Sequence, residues 1–276
     1  MTGLSPSSYY YRPKTDPKQK AMTDSDLRDL IEGIQIEFPR YGYRRVQKHL
    51  AREGMTVNAK RIRRVMREYG LCAEVSRTFK VATTDSDHPF GVYPNLMKNV
   101  QVTGLNQAWV ADITYIRIRT CFVYLAVILD LYSRKVIGWA ISRSLHRSLC
   151  IEALKTALEE RKPPQGCIHH SDRGVQYACD DYVRILEEHG LRVSMSRKGN
   201  PYDNAFAESF MKTLKYEEVW LWNYETYEEV IERLPHFIEE VYNKKRLHSS
   251  IGYLPPEEFE QMIINNNQPA ALLSKS

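Results

Sequence analysis

Hydrophobic positions in the first third of the chain recur with helical spacing and predict three short helices. Thr23 or Asp24 can cap the first helix, and its apolar face would consist of Leu27, Leu30, Ile31 and Ile34. The second helix would cover residues 43–52. Asn58 and Gly70 are suited to begin and end the third, with an inward face of Ile62, Val65, Met66 and Tyr69. This pattern predicts an all-α helix-turn-helix domain over residues 23–75.

The pattern changes from helix to strand at Trp109. Three runs rich in β-formers, joined by short turns, predict an antiparallel meander. Further segments then alternate: a helix near 147–160, a strand at 167–170, a helix at 180–189, a strand at 192–195 and a helix from Ala205. This order predicts an α/β fold with a ribonuclease H-like mixed five-stranded sheet and helices. We assign residues 1–22 to a flexible lead-in, 76–105 to a linker, 106–262 to the core with its C-terminal helices, and 263–276 to a tail.

The helix that starts at Ala205 carries polar side chains opposite its predicted core face. That core face would consist of Phe206, Phe210, Thr213 and Leu214. Glu208 lies on the other side, and Lys212 and Lys215 share its face four and seven residues further on. A solvated Glu–Lys pair is the ordinary interpretation of this spacing. The acidic residues upstream favour a functional one.

Basic residues are concentrated near the N-terminus. The chain has a net charge of +5, yet residues 40–80 contain twelve Lys and Arg against three Asp and Glu. Such a local excess is typical of an element that binds nucleic acid, although a basic solvated surface would have the same composition. The candidate DNA-binding residues of this region are Arg44, Arg45, Lys60, Arg61 and Arg64.

Composition excludes several other classes. The apolar run at residues 124–129 is too short to span a membrane, and the N-terminus lacks the apolar region of a secretory signal. The five scattered cysteines form no CxxC pair, which indicates neither a disulfide framework nor a cysteine zinc site. We therefore expect a protein of a reducing cytoplasm.

Three carboxylates form the candidate catalytic set. Asp112 lies within the first strand, where an unpaired carboxylate costs several kcal/mol unless a cation compensates it. Asp172 follows the fourth strand, and the two would meet if that strand pairs beside the first. The helix with Glu208 would bring the third carboxylate. Three hard oxygen ligands favour Mg²⁺ or Mn²⁺, with two ions expected.

Other polar residues nearby have structural interpretations: strand histidines His169 and His170, a turn at Asp130, helix starts at Asp180, Asp181 and Asp203, and solvent exposure at Glu217 and Glu218.

Long segments of the chain resemble a known family. The segments ADITYI, HHSDRGVQY, SMSRKGNPYDNAFAESFMKTLK and YNKKRLHSSIGYLPPEEFE are similar to the integrase-type core of insertion-sequence transposases of the IS-three type, the OrfB subunit. Thirty-five residues separate Asp172 from Glu208, which is similar to the DD(35)E spacing of that family. The segments YGYRRVQKHL and VNAKRIRRVMREYG resemble its helix-turn-helix.

The resemblance implies that Asp112, Asp172 and Glu208 are a DDE triad and metal-ligand set, and that Lys215 contacts DNA near the scissile phosphate. Lys212 is a further DNA-binding candidate on the same face. It also implies DNA partners, namely the terminal repeats of the element and target DNA, a multimer on DNA, and a partner or fusion from the upstream reading frame (OrfA type). The His/Cys zinc domain of retroviral integrases has no counterpart in this sequence.

Three other functions remain open at the level of sequence. A repressor could use the same helix-turn-helix to occupy terminal repeats, although the presence of all three carboxylates favours catalysis. A ribonuclease H-like or junction nuclease would hydrolyse without joining, and the basic N-terminal region with Lys215 argues against it. A tyrosine recombinase would need an Arg/His cluster around one tyrosine and no metal. The leading hypothesis is a metal-dependent transposase that cuts strands and joins them through a 3′-OH.

Overall fold

The computed structural model describes residues 22–71, 91–119, 121–197 and 204–267, and the chain divides into two compact units, Met1–Ala73 and Glu74–Ser276. The predicted lead-in up to residue 21, residues 72–75 of the predicted helix-turn-helix domain, residues 76–90 of the linker, Asp203 and most of the predicted tail lie outside the described residues.

Three helices form the first unit: α1 (Asp24–Glu37), α2 (Tyr43–Arg52) and α3 (Ala59–Glu68). Thr23 caps α1 through a capping box with Asp26, and Asn58 caps α3 by accepting a hydrogen bond from the N–H of Lys60. These observations confirm the three predicted helices.

The predicted inward position of Tyr69 is wrong. The regular part of α3 ends at Glu68, so Tyr69 no longer follows the buried stripe and is 45% exposed. Its ring instead lies 5.3 Å from the guanidinium carbon of Arg28.

A mixed sheet forms the centre of the second unit. Its five described strands have the spatial order β3-β2-β1-β4-β5. The first three strands form an antiparallel meander, whereas β4 is parallel to β1 and β5 is parallel to β4. This topology confirms the ribonuclease H-like prediction, and the fourth strand pairs beside the first, which is the condition under which Asp112 and Asp172 were expected to meet. The bounds are β1 (Ala108–Arg117), β2 (Phe122–Asp130), β3 (Val136–Ser142), β4 (Ile168–Ser171) and β5 (Arg192–Met195).

Helices cover both faces of this sheet, because alternate strand residues enter two separate hydrophobic clusters. One face packs against α4 (Arg147–Arg161), α5 (Val175–Ala178) and α6 (Asp180–Glu188). The other packs against α7 (Ala205–Leu214) and α9 (Tyr227–His236), with the short α8 (Trp220–Trp222) between them. Two π-helical segments, Lys215–Val219 and Phe237–Asn243, follow α7 and α9. The remaining elements are the 3₁₀ turns Leu96–Asn99 and Ser249–Ile251 and the last helix, α10 (Pro256–Asn267).

A buried ionic cluster fastens α10 to the sheet. Arg161 at the end of α4 forms a bidentate ion pair with Glu260 of α10. Ser133 donates a hydrogen bond of 2.6 Å to the same carboxylate, and Asp130 lies 3.8 Å from the Arg161 guanidinium. Asp130 also accepts the N–H groups of Tyr132 and Ser133, which confirms that it starts the β2–β3 turn.

No helix among the described residues is long and apolar enough to cross a membrane.

Close packing of α4 on β3 makes a glycine necessary at position 138. A Cβ atom there would lie 2.3 Å from the carbonyl oxygen of Ala153 and 2.7 Å from the Cβ of Ala157. We expect Gly138→Ala to lower the free energy of unfolding by about 1–3 kcal/mol, because the backbone of α4 must move. Denaturant unfolding of the full chain measures this change.

Gly91→Ala is the matched control. A Cβ at Gly91 would make an ordinary contact of 3.9 Å with the Tyr93 ring, so the unfolding midpoint should stay close to that of the wild type. Equal midpoints for the two variants would contradict the packing argument.

Candidate functional site

A cleft forms where β1 and β4 diverge. The two strands pair through Ala108, Trp109 and Val110, after which β1 continues beside β2 as far as Arg117. Asp112 lies two residues beyond the last of these pairs, and Asp172 directly follows β4. Crevices at the carboxyl ends of strands, where the strand order reverses, are the usual ligand sites of open α/β sheets.

Asp112 is held in this cleft in an unfavourable electrostatic environment. The N–H of Ile113 donates a hydrogen bond of 2.9 Å to its carboxylate. Burial raises the pKa of Asp112 to about 8, and the nearby Asp172 and Glu208 contribute in the same direction, whereas the Ile113 hydrogen bond and the charge of Lys215 oppose the shift. Asp172 and Glu208 therefore both lie within electrostatic range of Asp112.

A tight turn after β4 fixes Asp172. Its Oδ1 accepts a hydrogen bond of 2.8 Å from the N–H of Gly174. A Cβ on Gly174 would lie only 3.0 Å from that oxygen, so a glycine lets the carboxylate approach the backbone closely. This geometry confirms the predicted turn at Gly174.

Glu208 extends from the first turn of α7 on its exposed side. The opposite face is buried, but its composition differs from the prediction: it consists of Ala207, Phe210, Met211 and Leu214. Phe206 was expected in the core and is 42% exposed, with the Arg134 guanidinium carbon 4.0 Å from its ring centroid. Thr213 is half-buried. Compared with the predicted orientation, α7 is turned about its own axis, so that Ala207 and Met211 face the core and Phe206 lies at its edge.

The carboxylates do not form a preassembled metal site. No group of three His, Cys, Asp or Glu side chains within the described ranges has a spacing that could hold a metal ion.

Lys215 extends beside these carboxylates. It is the first residue of the π-helical turn after α7, and its Nζ lies 4.4 Å from the centroid of the Tyr115 ring. Burial lowers the pKa of Lys215, while the charge of Asp112 acts in the opposite direction. Lys212 is exposed, and its Nζ lies 6.0 Å from the Tyr216 ring. Lys215 thus supplies positive charge next to the acidic cleft.

Asn204, the residue before α7, was not among the predicted site residues, but it contacts β1 beside the cleft. Asn204 is buried, and its Nδ2 donates a hydrogen bond of 3.2 Å to the carbonyl of Ala111, the residue before Asp112. Its Oδ1 is also buried and has no hydrogen-bond partner within the described residues. In the sequence, the feature that links Asn204 to the candidate site is its position four residues before Glu208. Asn204 joins the start of α7 directly to β1 beside the cleft.

Most of the competing polar residues have structural roles, as predicted. The Tyr182 hydroxyl lies 2.9 Å from His169 Nε2, and Ser194 Oγ lies 2.8 Å from His170 Nδ1. Asp180 and Asp181 occupy the first turn of α6.

The expected exposure of Glu217 and Glu218 is wrong, because both form internal ion pairs. Glu217 forms a bidentate pair with Arg246, with N–O distances of 2.6 and 2.7 Å. Glu218 is 6% exposed and accepts hydrogen bonds from Tyr224 and Arg233. Both residues fasten the segment after α7 to later elements.

In the first unit, the predicted DNA-binding residues differ in their surroundings. Arg61 and Arg64 form ion pairs of 2.8 and 2.6 Å with the two oxygens of Asp24, and these pairs lower the pKa of Asp24. Lys60 is exposed. Arg44 lies over the ring of Tyr43, and Arg45 lies over the ring of Tyr41.

Comparison with known proteins identifies related domains and chains. Residues 103–201 and 189–256 match two integrase core domain families, and residues 23–79 match an HTH-like domain family. The chain is 40% identical to the 31 kDa protein of insertion element IS600 from Shigella sonnei, over 94% of this chain and 96% of that protein.

Two further relatives are named transposases. The transposase of insertion sequence element IS904 from Lactococcus lactis is 39% identical over 89% of this chain and 97% of its own length. Transposase InsF of insertion sequence IS3A from Escherichia coli K12 is 41% identical over 80% of this chain and 77% of its own length. Among solved structures, the BIV integrase catalytic core is a remote match, with 17% identity, a TM-score of 0.45, and coverage of 58% of this chain and 97% of that one.

Removal of the Asn204 amide should loosen the start of α7. We expect Asn204→Ala to lower the free energy of unfolding by about 1–2 kcal/mol, because the buried carbonyl of Ala111 loses a donor. Hydrogen exchange at the first turn of α7, measured together with denaturant unfolding, tests this. Ser209→Ala, an exposed change on the same helix, is the control and should leave both measurements unchanged.

Proposed function

Since the chain belongs to the family of insertion-sequence transposases with an integrase core domain, we propose that it cuts and joins DNA strands at the ends of its element through Asp112, Asp172 and Glu208. The observation that carries this proposal is the environment of Asp112, where burial raises the pKa of the carboxyl and the charges of Asp172 and Glu208 raise it further. We take the three carboxylates to face one crevice, in which they can act together on a single phosphodiester.

The donor set fits a divalent cation. Asp112, Asp172 and Glu208 offer hard carboxylate oxygens, which Mg²⁺ and Mn²⁺ prefer. Neighbouring carboxylates that raise the pKa of Asp112 would be stabilised by added positive charge. We assign these three side chains as the ligands of two ions. Bound cations of this kind activate an attacking oxygen and neutralise the charge on the leaving oxygen.

The chain's own residues orient the reacting groups. Ile113 N–H and Gly174 N–H direct one carboxylate oxygen each, and Asn204 holds the start of the helix that carries Glu208. Lys215 is placed to bind a phosphate beside the carboxylates, and Lys212 extends the positive charge along the exposed side of α7. These contacts fix the DNA so that the scissile phosphorus lies at the cleft.

The proposed reaction has two steps. In the first, water attacks a phosphodiester at the element end, the P–O3′ bond breaks, and the released 3′ oxygen takes a proton. In the second, this 3′-OH loses its proton and attacks a target phosphodiester, while another P–O3′ bond breaks and its oxygen is protonated. One phosphodiester forms for each one lost in the joining step, so no nucleotide cofactor is required.

The helical unit would bind terminal-repeat DNA through the surface of α2 and α3 that carries Arg44, Arg45, Lys60, Arg61 and Arg64. The ion pairs of Asp24 order Arg61 and Arg64, and a phosphate would have to compete with Asp24 for them. We further propose that the active form is a multimer on DNA within the bacterial cytoplasm, assembled with a product of the upstream reading frame.

Neutral replacement of any one carboxylate should abolish cutting. We expect Asp112→Asn, Asp172→Asn and Glu208→Gln each to lower strand cleavage and joining at least about 10³-fold, because each removes a ligand of the cations that would neutralise charge at the reacting phosphate. Labelled DNA that carries the ends of the resident element, incubated with Mg²⁺ or Mn²⁺, gives the product yields. DNA affinity should change little.

Asp180→Asn is the matched control, since Asp180 is an exposed carboxylate at the start of α6. Its yields should equal those of the wild type. Nicks without joined products, even with the upstream-frame protein present, would indicate a hydrolytic nuclease. Bound but uncut DNA would indicate a repressor.

The salt dependence of DNA binding tests the helical unit. We expect Lys60→Ala to reduce the slope of log affinity against log salt by about 1, because one phosphate contact is lost. Arg61→Ala and Arg64→Ala should also weaken binding, but less, because each arginine must leave Asp24 to reach DNA. Fluorescence anisotropy over a range of salt concentrations measures the slopes.

Arg28→Ala controls for the loss of a basic residue in the same unit, because Arg28 pairs with Asp29 on α1. Its slope should equal that of the wild type. A slope reduced equally by Arg28→Ala and Lys60→Ala would mean that α3 is not the DNA-binding surface.

A further inference from the structure

A cavity of about 660 Å³ opens between the far end of the β1–β2 hairpin and the segment that follows α7. Pockets of this size are sufficient for one small ligand or one nucleotide. Its lining differs from the acidic cleft, since it combines aromatic rings with cationic side chains. The residues that decide its chemistry are Tyr115, Phe122, Trp220, Arg117, Lys215 and Asn223.

Aromatic rings from three different elements reach this cavity. Tyr115 of β1 and Phe122 of β2 form an edge-to-face pair with centroids 5.5 Å apart, and Phe122 is 41% exposed. Trp220 belongs to the helical segment opposite, where the ring of Tyr216 lies 4.6 Å away and supports it. Exposed rings fixed by neighbouring rings offer stacking surfaces whose side-chain entropy is already reduced.

Positive charge surrounds the same rings. Lys215 Nζ lies 4.4 Å from the Tyr115 centroid, and Arg117 is exposed at the end of β1. Arg119 lines the cavity beside its counterion Glu225, at 4.0 Å. Asn223, which has a left-handed backbone conformation with a φ of 44°, adds an amide at the rim. Stacking rings, phosphate-binding cations and a polar edge are the features of sites for unpaired nucleotides.

Lys215 connects this cavity to the acidic cleft. Its ammonium group lies against the Tyr115 wall, and its charge also acts on Asp112. Tyr115 follows Asp112 by three residues, about 10 Å along the strand, a spacing at which side chains start on opposite faces, so Lys215, which lies near both, provides the link between the two sites. A DNA strand whose phosphate lies at the carboxylates would therefore bring a neighbouring nucleotide to the cavity.

Base faces are hidden within a stacked duplex, so the aromatic walls can stack only on a base that has left its helix. Resting on the proposed function, we propose that this cavity receives one unpaired base of the DNA substrate, next to the phosphodiester that is cut. Binding of that base would separate the strands at the reaction site and hold the scissile phosphate in register with the carboxylates.

Photo-crosslinking tests this placement directly. Iododeoxyuridine is placed at successive positions on each strand around the cleavage site of an element-end duplex, and in a second series along target DNA. The full-length wild-type chain binds these DNAs without divalent metal, so that they stay intact. After irradiation, peptide mapping should show that the nucleotide at one position next to the cleaved bond has crosslinked to Tyr115, Phe122 or Trp220. The series that gives these crosslinks identifies whether the base comes from the element end or from the target.

Cleavage of paired and mismatched substrates provides the second measurement. We expect Trp220→Ala to cut the fully paired duplex about ten-fold more slowly, because a stacking partner is lost. A mismatch at the crosslinking position should restore most of this rate, since an unpaired base needs less energy to leave the helix. Recovery of the cleavage rate on the mismatched substrate would also show that the Trp220→Ala variant is folded. Trp220→Phe, which keeps an aromatic ring, should stay close to the wild type.

Trp222→Ala is the matched control, because Trp222 is 55% exposed on the same short helix and lies against Arg233 rather than in the cavity. It should cut both substrates like the wild type. Crosslinks confined to other regions, or a Trp220→Ala rate that no mismatch improves, would overturn the proposal while leaving the cutting function in place. A wild type that cuts neither substrate even with the upstream-frame protein present would instead refute the proposed function, and the crosslinks would still locate the base.

Discussion

The divergence of β1 from β4 after Val110 is the constraint on which the site depends. While the strands pair, their backbone groups are occupied by the sheet. Beyond that point the Ala111 carbonyl becomes available, and Asn204 bonds to it at the start of α7. The same divergence creates the crevice in which Asp112 and Asp172 approach each other. One break in strand pairing therefore positions the carboxylates and anchors the helix that carries Glu208.

This arrangement makes the Asp112 carboxyl group unfavourable to ionise. An acidic side chain inside a strand is costly to ionise, and its neighbours Asp172 and Glu208 increase that cost. Lys215 offsets part of it from the π-helical turn after α7. Such a turn widens the helix locally, a feature often found at functional sites. Strain of this kind suits a centre that stabilises charge during a reaction better than one that serves stability alone.

Around the cleft, buried ion pairs fasten the surrounding segments to the sheet. Glu260 and Arg161 hold the last helix against the end of α4, and Glu217 and Arg246 join the segment after α7 to a later turn. Breaking a buried pair leaves an uncompensated charge, so each pair is strongly specified.

Local patterns were sufficient to predict the helices, the strand order and the three candidate carboxylates, because periodicity, caps and an acidic residue inside a strand are properties of short segments. The rotation of α7, which exposes Phe206, and the burial of Glu218 were missed, since an amphipathic pattern does not specify which neighbour covers a side chain. Nor could spacing reveal the bond from Asn204 to Ala111, which joins residues 93 positions apart. The sequence by itself determined the elements and their chemistry. The tertiary structure decided their mutual positions, because only the packed sheet determines which distant groups share one environment.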